Sequence, residues 1–326
     1  MRYASLCSVL CACLLPCLGA AQAPAPARKP AVLFTGTHGG QCSHQIAGKL
    51  AAAGFTVNAT PHPGLHSQPL TLEQARRYNV IVCHGLGLAN ADFTLPAHVR
   101  QTLATLTQYL EEGGGVILLS AYGQVLTEAP PQDTVLNPLG LTPLWREMPV
   151  DGDAVKATAW KLDFAYTTAL APSPVTAGVA GLWYPAATWR AGAQNHATSF
   201  VADATWTVLV RGGNASQTRT FAANGVNAGE PGTYQREVPL IAARQVGKGR
   251  LLYLGISPEY LFSRPAMTTL EGVVLERGLR GTPSGGSALI ENALRWLSEP
   301  SLATLGGAPM DEIGRASCRE RVFRVV

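Results

Sequence analysis

Six of the seven histidines fall in the first hundred residues, at His38, His44, His62, His66, His84 and His98. Imidazole exchanges a proton near neutral pH and is a common ligand for transition metals. Two cysteines, Cys42 and Cys83, lie among them. Several chemistries compete for this set. Cys42 and Cys83 can form a disulfide in an oxidising compartment. His38, His44 and His84 can hold a metal ion together with a thiolate, although neither Cys-x-x-Cys nor His-Glu-x-x-His spacing is present. Cys83-His84 sets a thiol beside a base, but neighbours on an extended strand point to opposite faces. The plain alternative is a group of loop residues and one buried thiol with no shared task. Gly36-Thr37-His38-Gly39-Gly40 can cradle an anion on backbone N–H groups ahead of a helix. Its spacing fits neither a dinucleotide fingerprint nor a P-loop, so no cofactor is expected.

A second set lies later in the chain. Trp183, Tyr184 and Trp189, near Arg190, can form a platform for stacking sugar rings, or simply a core. Asp151, Asp153 and Asp163 are acids in the same stretch. Glycoside hydrolysis needs two carboxylates flanking the scissile bond, and sequence does not set their separation. Solvated turn residues are the plain reading of these three.

The elements that must position these residues read as an α/β pattern. A mostly apolar run at 31–35 predicts a buried strand, and 55–60, 78–83 and 116–119 read as the second, third and fourth strands. Ser43 is a candidate cap for a helix that runs to about residue 53, with Gly54 as its stop. Leu103, Leu106 and Leu110 fall on one face of a helix predicted over 99–112, ended by Gly113-Gly114-Gly115. Strands alternating with helices imply a parallel sheet covered on both faces. From about residue 136 the pattern changes to short strands and turns, with 155–160, 197–201 and 205–210 extended. A hairpin-like pair at 239–246 and 250–254 and a helix over 287–297 then close the chain. In the flavodoxin-like strand order 2-1-3-4-5 the first and third strands are neighbours. That order places His38, Cys42 and His44 beside Cys83 and His84, with His62 and His66 one strand over, at the strand ends where open α/β sheets bind ligands.

Two fragments carry a family resemblance. After the fourth strand stands Leu119-Ser120-Ala121-Tyr122-Gly123-Gln124, and after a late strand Leu254-Gly255-Ile256-Ser257-Pro258-Glu259. These resemble the nucleophile elbow and the His-Pro-Glu segment of the class I glutamine amidotransferase-like fold, a group that includes trehalose-utilisation-type domains. The resemblance spans residues 30–145 and 235–300. It implies a three-layer flavodoxin-like fold and a carbohydrate-related role. Ala121 stands where the active family has its Cys, Ser257 where it has its His, and Glu259 keeps its acid. A thioester route needs a thiolate and an activating base, so glutaminase activity is expected to be absent. Ser120 precedes the elbow position without an evident His-Asp pair and reads as a turn hydroxyl.

The 326 residues are 47% hydrophobic and 14% charged, with 34 Gly and 23 Pro, which excludes a disordered chain or a coiled coil. The formal charge of +4 is an end effect. Without Arg2 and the charged residues from Glu312 onward it falls to +1, no footprint for nucleic acid. Residues 1–23 read as a signal peptide and 24–30 as a Pro/Ala linker. Residues 31–305 read as the amidotransferase-like domain, with a β-rich insertion at about 146–235. Residues 306–326 read as a linker and a tail, of which 312–326 resembles translated sequencing adapter and is expected not to be native. The expected protein is secreted or periplasmic, with no membrane span once the signal is removed. It binds a small polar ligand or a protein partner through His38, Gly39, Gly40, Cys42, His84, Ser120 and Tyr122. The alternative is a hydrolase of sugar or amide bonds with a rebuilt, metal-assisted site in the same crevice.

Overall fold

The computed structural model describes residues 28–40, 42, 44–61, 63–120, 127–157, 162–186, 197–221, 228–256, 274 and 277–306. The chain begins with β1 (Ala31–Gly36), α1 (His44–Ala52), β2 (Thr56–Ala59), α2 (Leu72–Ala75), β3 (Val80–His84), α3 (Ala97–Glu111), β4 (Gly115–Leu119) and α4 (Ala129–Leu136). Short strands follow: β5 (Leu141–Pro143), β6 (Glu147–Asp151), β7 (Val155–Ala157), β8 (Leu162–Thr167), β9 (Leu182–Ala186), β10 (Phe200–Ala202), β11 (Thr207–Arg211), β12 (Ser216–Phe221) and β13 (Ala228–Pro231). The chain then forms β14 (Pro239–Val246), β15 (Gly249–Leu254) and α5 (Gly286–Ser298).

The central sheet has seven strands in the order β2-β1-β3-β4-β15-β14-β11. The first five are parallel; at one edge β14 pairs antiparallel with β15, and β11 antiparallel with β14. The parallel part therefore has the flavodoxin-like order 2-1-3-4-5. Strands β1, β3 and β4 are buried along their whole length, because helices cover both faces. On one face Val32, Phe34, Val82, Ile117 and Leu119 meet Leu50 of α1 and Leu289, Leu294 and Leu297 of α5. On the other, Leu33, Ile81, Cys83 and Leu118 meet Val99, Leu103, Leu106 and Leu110 of α3. The alternation of side chains along each strand assigns the two sets.

The edge strands modify the expected picture. The segment expected within the β-rich insertion at 205–210 is β11, which joins the central sheet against β14. The remaining short strands form three small sheets, β10-β5, β13-β12-β6 and β7-β8-β9. The hairpin pairing is as read, with Val246 opposite Gly249 at its turn.

Asn79 closes the opposite end of the sheet from the strand-end loops. Its side-chain Oδ1 accepts from the Ala31 amide at 2.9 Å, and its Nδ2 donates to the Ser301 and Leu305 carbonyls at 3.1 Å. One buried amide thus joins the start of β1, the entry to β3 and the segment after α5. No helix among the described residues is long and apolar enough to cross a membrane.

Candidate functional site

Strands β1 and β3 end side by side, with Gly36 opposite His84 and His84 opposite Leu119. A Cβ on Gly36 would sit 2.1 Å from the His84 carbonyl oxygen, so glycine is required for this approach. The chain then turns, with the Thr37 amide donating to the His84 carbonyl at 2.9 Å and the Gly39 amide to Gly36 at 3.1 Å. A second turn after β2 packs onto this loop. The His66 amide donates to the Thr37 carbonyl at 2.8 Å. Gly64, at φ +59°, fits where a Cβ would lie 2.2 Å from the Gly39 nitrogen.

These two turns bring His38 and His66 together, with ring centroids 6.1 Å apart and planes tilted by 40°. Glu128, at the start of α4, approaches from the next loop. Its Oε1 lies 3.9 Å from His38 Nε2. The Glu128 side chain is 2% exposed and that of His38 46%, so an accessible imidazole faces a buried carboxylate. His84 lies beneath them. Burial, and next the charge of a protonated His38, lower its pKa from 6.5 to about 4, so it is neutral at physiological pH.

The other expected site residues separate. Gly39 is buried and Gly40 half-buried, with the Gly40 amide donating to the Thr60 carbonyl at 2.8 Å. The Gly36–Gly40 loop is thus engaged in backbone packing at both of these glycines. Ser120 is buried, its hydroxyl 3.0 Å from that of Thr198 and its amide donating to Leu254. It fastens the end of β4 to the end of β15 and to the 197–199 segment. Tyr122 and the triad positions Ala121, Ser257 and Glu259 lie outside the described residues, as do His62, Trp189 and Arg190. His44 opens α1, and its side chain is outside the described set.

The Cys42–Cys83 disulfide is not formed. Cys83 is buried in the α3-facing cluster, whereas Cys42 packs against the α1- and α5-facing cluster. The sheet lies between them. Burial pushes the Cys83 thiol up to about 12, which also removes it as a nucleophile for the adjacent His84. Among the described residues no group of three His, Cys, Asp or Glu could hold a metal ion, and the proposed His38 and His84 ligands are not joined by a third.

The aromatic platform is core where it is described. Trp183 is 7% exposed, donates its Nε1–H to the Thr282 carbonyl at 3.0 Å and packs on Tyr166. Tyr184 is fully buried and donates its hydroxyl to Asp151 Oδ2. Asp151 is thereby committed to the fold, and Asp163 is buried too. Sequence reading missed Glu128. Its signal was Pro130-Pro131, since proline favours the first helical turn and so marks Glu128 as a helix-start residue beside the fourth strand.

No protein-family model matches the chain, and no curated protein matches it. Solved structures do match. A cytoplasmic protein, STM1381 from Salmonella typhimurium LT2, is 16% identical, with a TM-score of 0.46 over 82% of this chain and 99% of that one. The mmIFT52 N-terminal domain is 12% identical, with a TM-score of 0.47 over 86% of this chain and all (100%) of that one. A ThuA-like protein from Parabacteroides merdae is 12% identical, with a TM-score of 0.43 over 87% of this chain and 94% of that one. Similarities this low carry no argument about activity.

Proposed function

We propose that this chain is a secreted or periplasmic module of the class I glutamine amidotransferase-like, trehalose-utilisation type that binds a small polar, carbohydrate-related ligand without glutaminase chemistry. The observation that carries the reading is the meeting of His38, His66, His84 and buried Glu128 at the strand ends. Neutral imidazole both donates and accepts hydrogen bonds, and a carboxylate accepts them, a combination suited to ligand hydroxyls. The motif residues Ala121 and Ser257 cannot supply a thiolate and its base. Cys83 cannot replace them, because its thiol is protonated and faces the other side of the sheet.

The test is ammonia release from glutamine, together with calorimetric titration of a panel of mono- and disaccharides. We expect no ammonia, and binding of at least one sugar that weakens tenfold or more in His38→Ala and Glu128→Gln. Ammonia release, or sugar binding indifferent to both substitutions, would overturn the reading. The His38–Glu128 pair also favours a second reading, a hydrolase in which the carboxylate orients the imidazole as a general base. Turnover of aryl glycosides or amides, lost in His38→Ala, would establish that reading instead.

A further inference from the structure

The chain leaving β3 passes from His84 to a small closed loop. The Ala89 amide donates to the Thr127 carbonyl at 2.8 Å, which anchors this segment next to Glu128. The loop proper is Asn90 to Thr94. Its neck is closed twice, by the Asn90 amide on the Thr94 carbonyl and by Asn90 Nδ2 on Thr94 Oγ1, both at 2.8 Å. Within it, the Phe93 amide donates to Asn90 at 2.9 Å, and the Thr94 hydroxyl donates to Asp92 Oδ1 at 2.6 Å. These bonds hold Phe93 at φ +64°, a left-handed conformation that a bulky aromatic residue rarely adopts. The result is an aromatic side chain that is 55% exposed. Asn or Gly would satisfy the backbone better, and a polar residue would satisfy the solvent better. Neither local conformation nor burial accounts for phenylalanine here.

We propose that Phe93 is the stacking face of the strand-end site, covering the apolar C–H face of a pyranose ring whose hydroxyls meet His38, His66 and Glu128. This rests on the binding reading above. The reach is consistent: Phe93 lies four residue steps beyond the anchored Ala89, at most about 14 Å of chain, and the turn shortens it. Trp183 and Tyr184 are buried in the core, so the flat ring a sugar needs is not supplied by them. Phe93 offers one at the same end of the sheet as the polar groups, since its loop leaves the carboxyl end of β3. The ring would give selectivity for cyclic sugars over open-chain polyols, which carry hydroxyls but no fixed apolar face.

The experiment titrates methyl β-D-glucopyranoside and sorbitol into the full chain and into Phe93→Asn, Phe93→Trp and His38→Ala. Asn tolerates the left-handed backbone, so Phe93→Asn removes the ring and keeps the loop. We expect Phe93→Asn to weaken glucoside binding about fivefold to tenfold, leave sorbitol unchanged, and melt no lower than wild type. Phe93→Trp should bind the glucoside at least as tightly as wild type. Unchanged glucoside affinity in Phe93→Asn, with binding lost in His38→Ala, would overturn the role of Phe93 and leave the site standing. A lower melting temperature in Phe93→Asn would show that the ring serves the fold, and would also overturn it. Absence of glucoside binding by wild type would overturn this inference, and glucoside binding unaffected by His38→Ala would overturn the site reading with it.

Discussion

His84 illustrates how one buried side chain couples the site to stability. In the folded chain it stays neutral until pH falls to about 4, whereas in the unfolded chain it takes a proton near 6.5. Between those values the unfolded state holds the extra proton. Stability is therefore complete above about pH 6.5 and declines as pH falls toward 4, by roughly 3 kcal/mol over the window. Denaturant unfolding at half-unit pH steps, on wild type and His84→Asn, isolates this contribution. The variant should lose about one proton from the pH slope, and equal slopes would disprove the linkage. The two thiols give a second residue-scale prediction. Cys42 is half-buried and Cys83 fully buried with its pKa pushed up to about 12. Iodoacetamide followed by peptide mapping should modify Cys42 in the native protein and Cys83 only after unfolding. Comparable labelling of both would contradict the placement of Cys83 behind the sheet.

At the scale of elements, polar side chains hold the layers in register where apolar packing is permissive. Asn79→Ala removes the partner of the buried Ala31 amide and of the Ser301 and Leu305 carbonyls. Unsatisfied buried groups of this kind make the change worth about 3 kcal/mol of lost stability, read as a lower denaturation midpoint at unchanged slope. The long elements were legible in the sequence because their periodicity is strong. Leu103, Leu106 and Leu110 mark the buried face of α3, and the unbroken apolar runs mark β1, β3 and β4. Other elements were not, although α2 carries a readable capping box in which Thr71 and Gln74 satisfy each other's backbone amides. Strands such as β6 and β12 are as long as β1, β3 and β4, but they mix polar with apolar residues and pair with each other across more than sixty residues, which no local pattern encodes. The site divides the same way. Strand order placed His38 and His84 together, and His66 near them. Glu128 arrives from a loop whose position depends on α4 docking, and the opposite facing of the two cysteines depends on which layer the loop after β1 packs against.

For the whole molecule, the decisive element is the last helix. Between β4 and β14 the chain forms the eight strands of the three small sheets and the edge strand β11 before β15 returns to pair with β4. Only then can α5 cover the face shared by β1, β3 and β4. It buries Leu289, Ile290, Leu294 and Leu297, each worth about 1.5–3 kcal/mol. Their sum is comparable with the whole stability of a typical domain. Arg295 adds a tie across the layer, donating to the Ala53 carbonyl at 2.6 Å where α1 ends and lying 5.0 Å from the Phe55 ring. The segment beyond α5 then reaches Asn79 through Ser301 and Leu305. A chain ended after Gly285 should therefore lose cooperative unfolding and expose apolar surface to dye binding. A chain ended after Gly306 keeps every contact just named and should unfold with the same midpoint as the full chain. The pair of truncations separates the structural role of α5 from residues 307–326. A marked loss of stability in the longer truncation would give those final residues a part in the native protein, against the reading of 312–326 as foreign sequence.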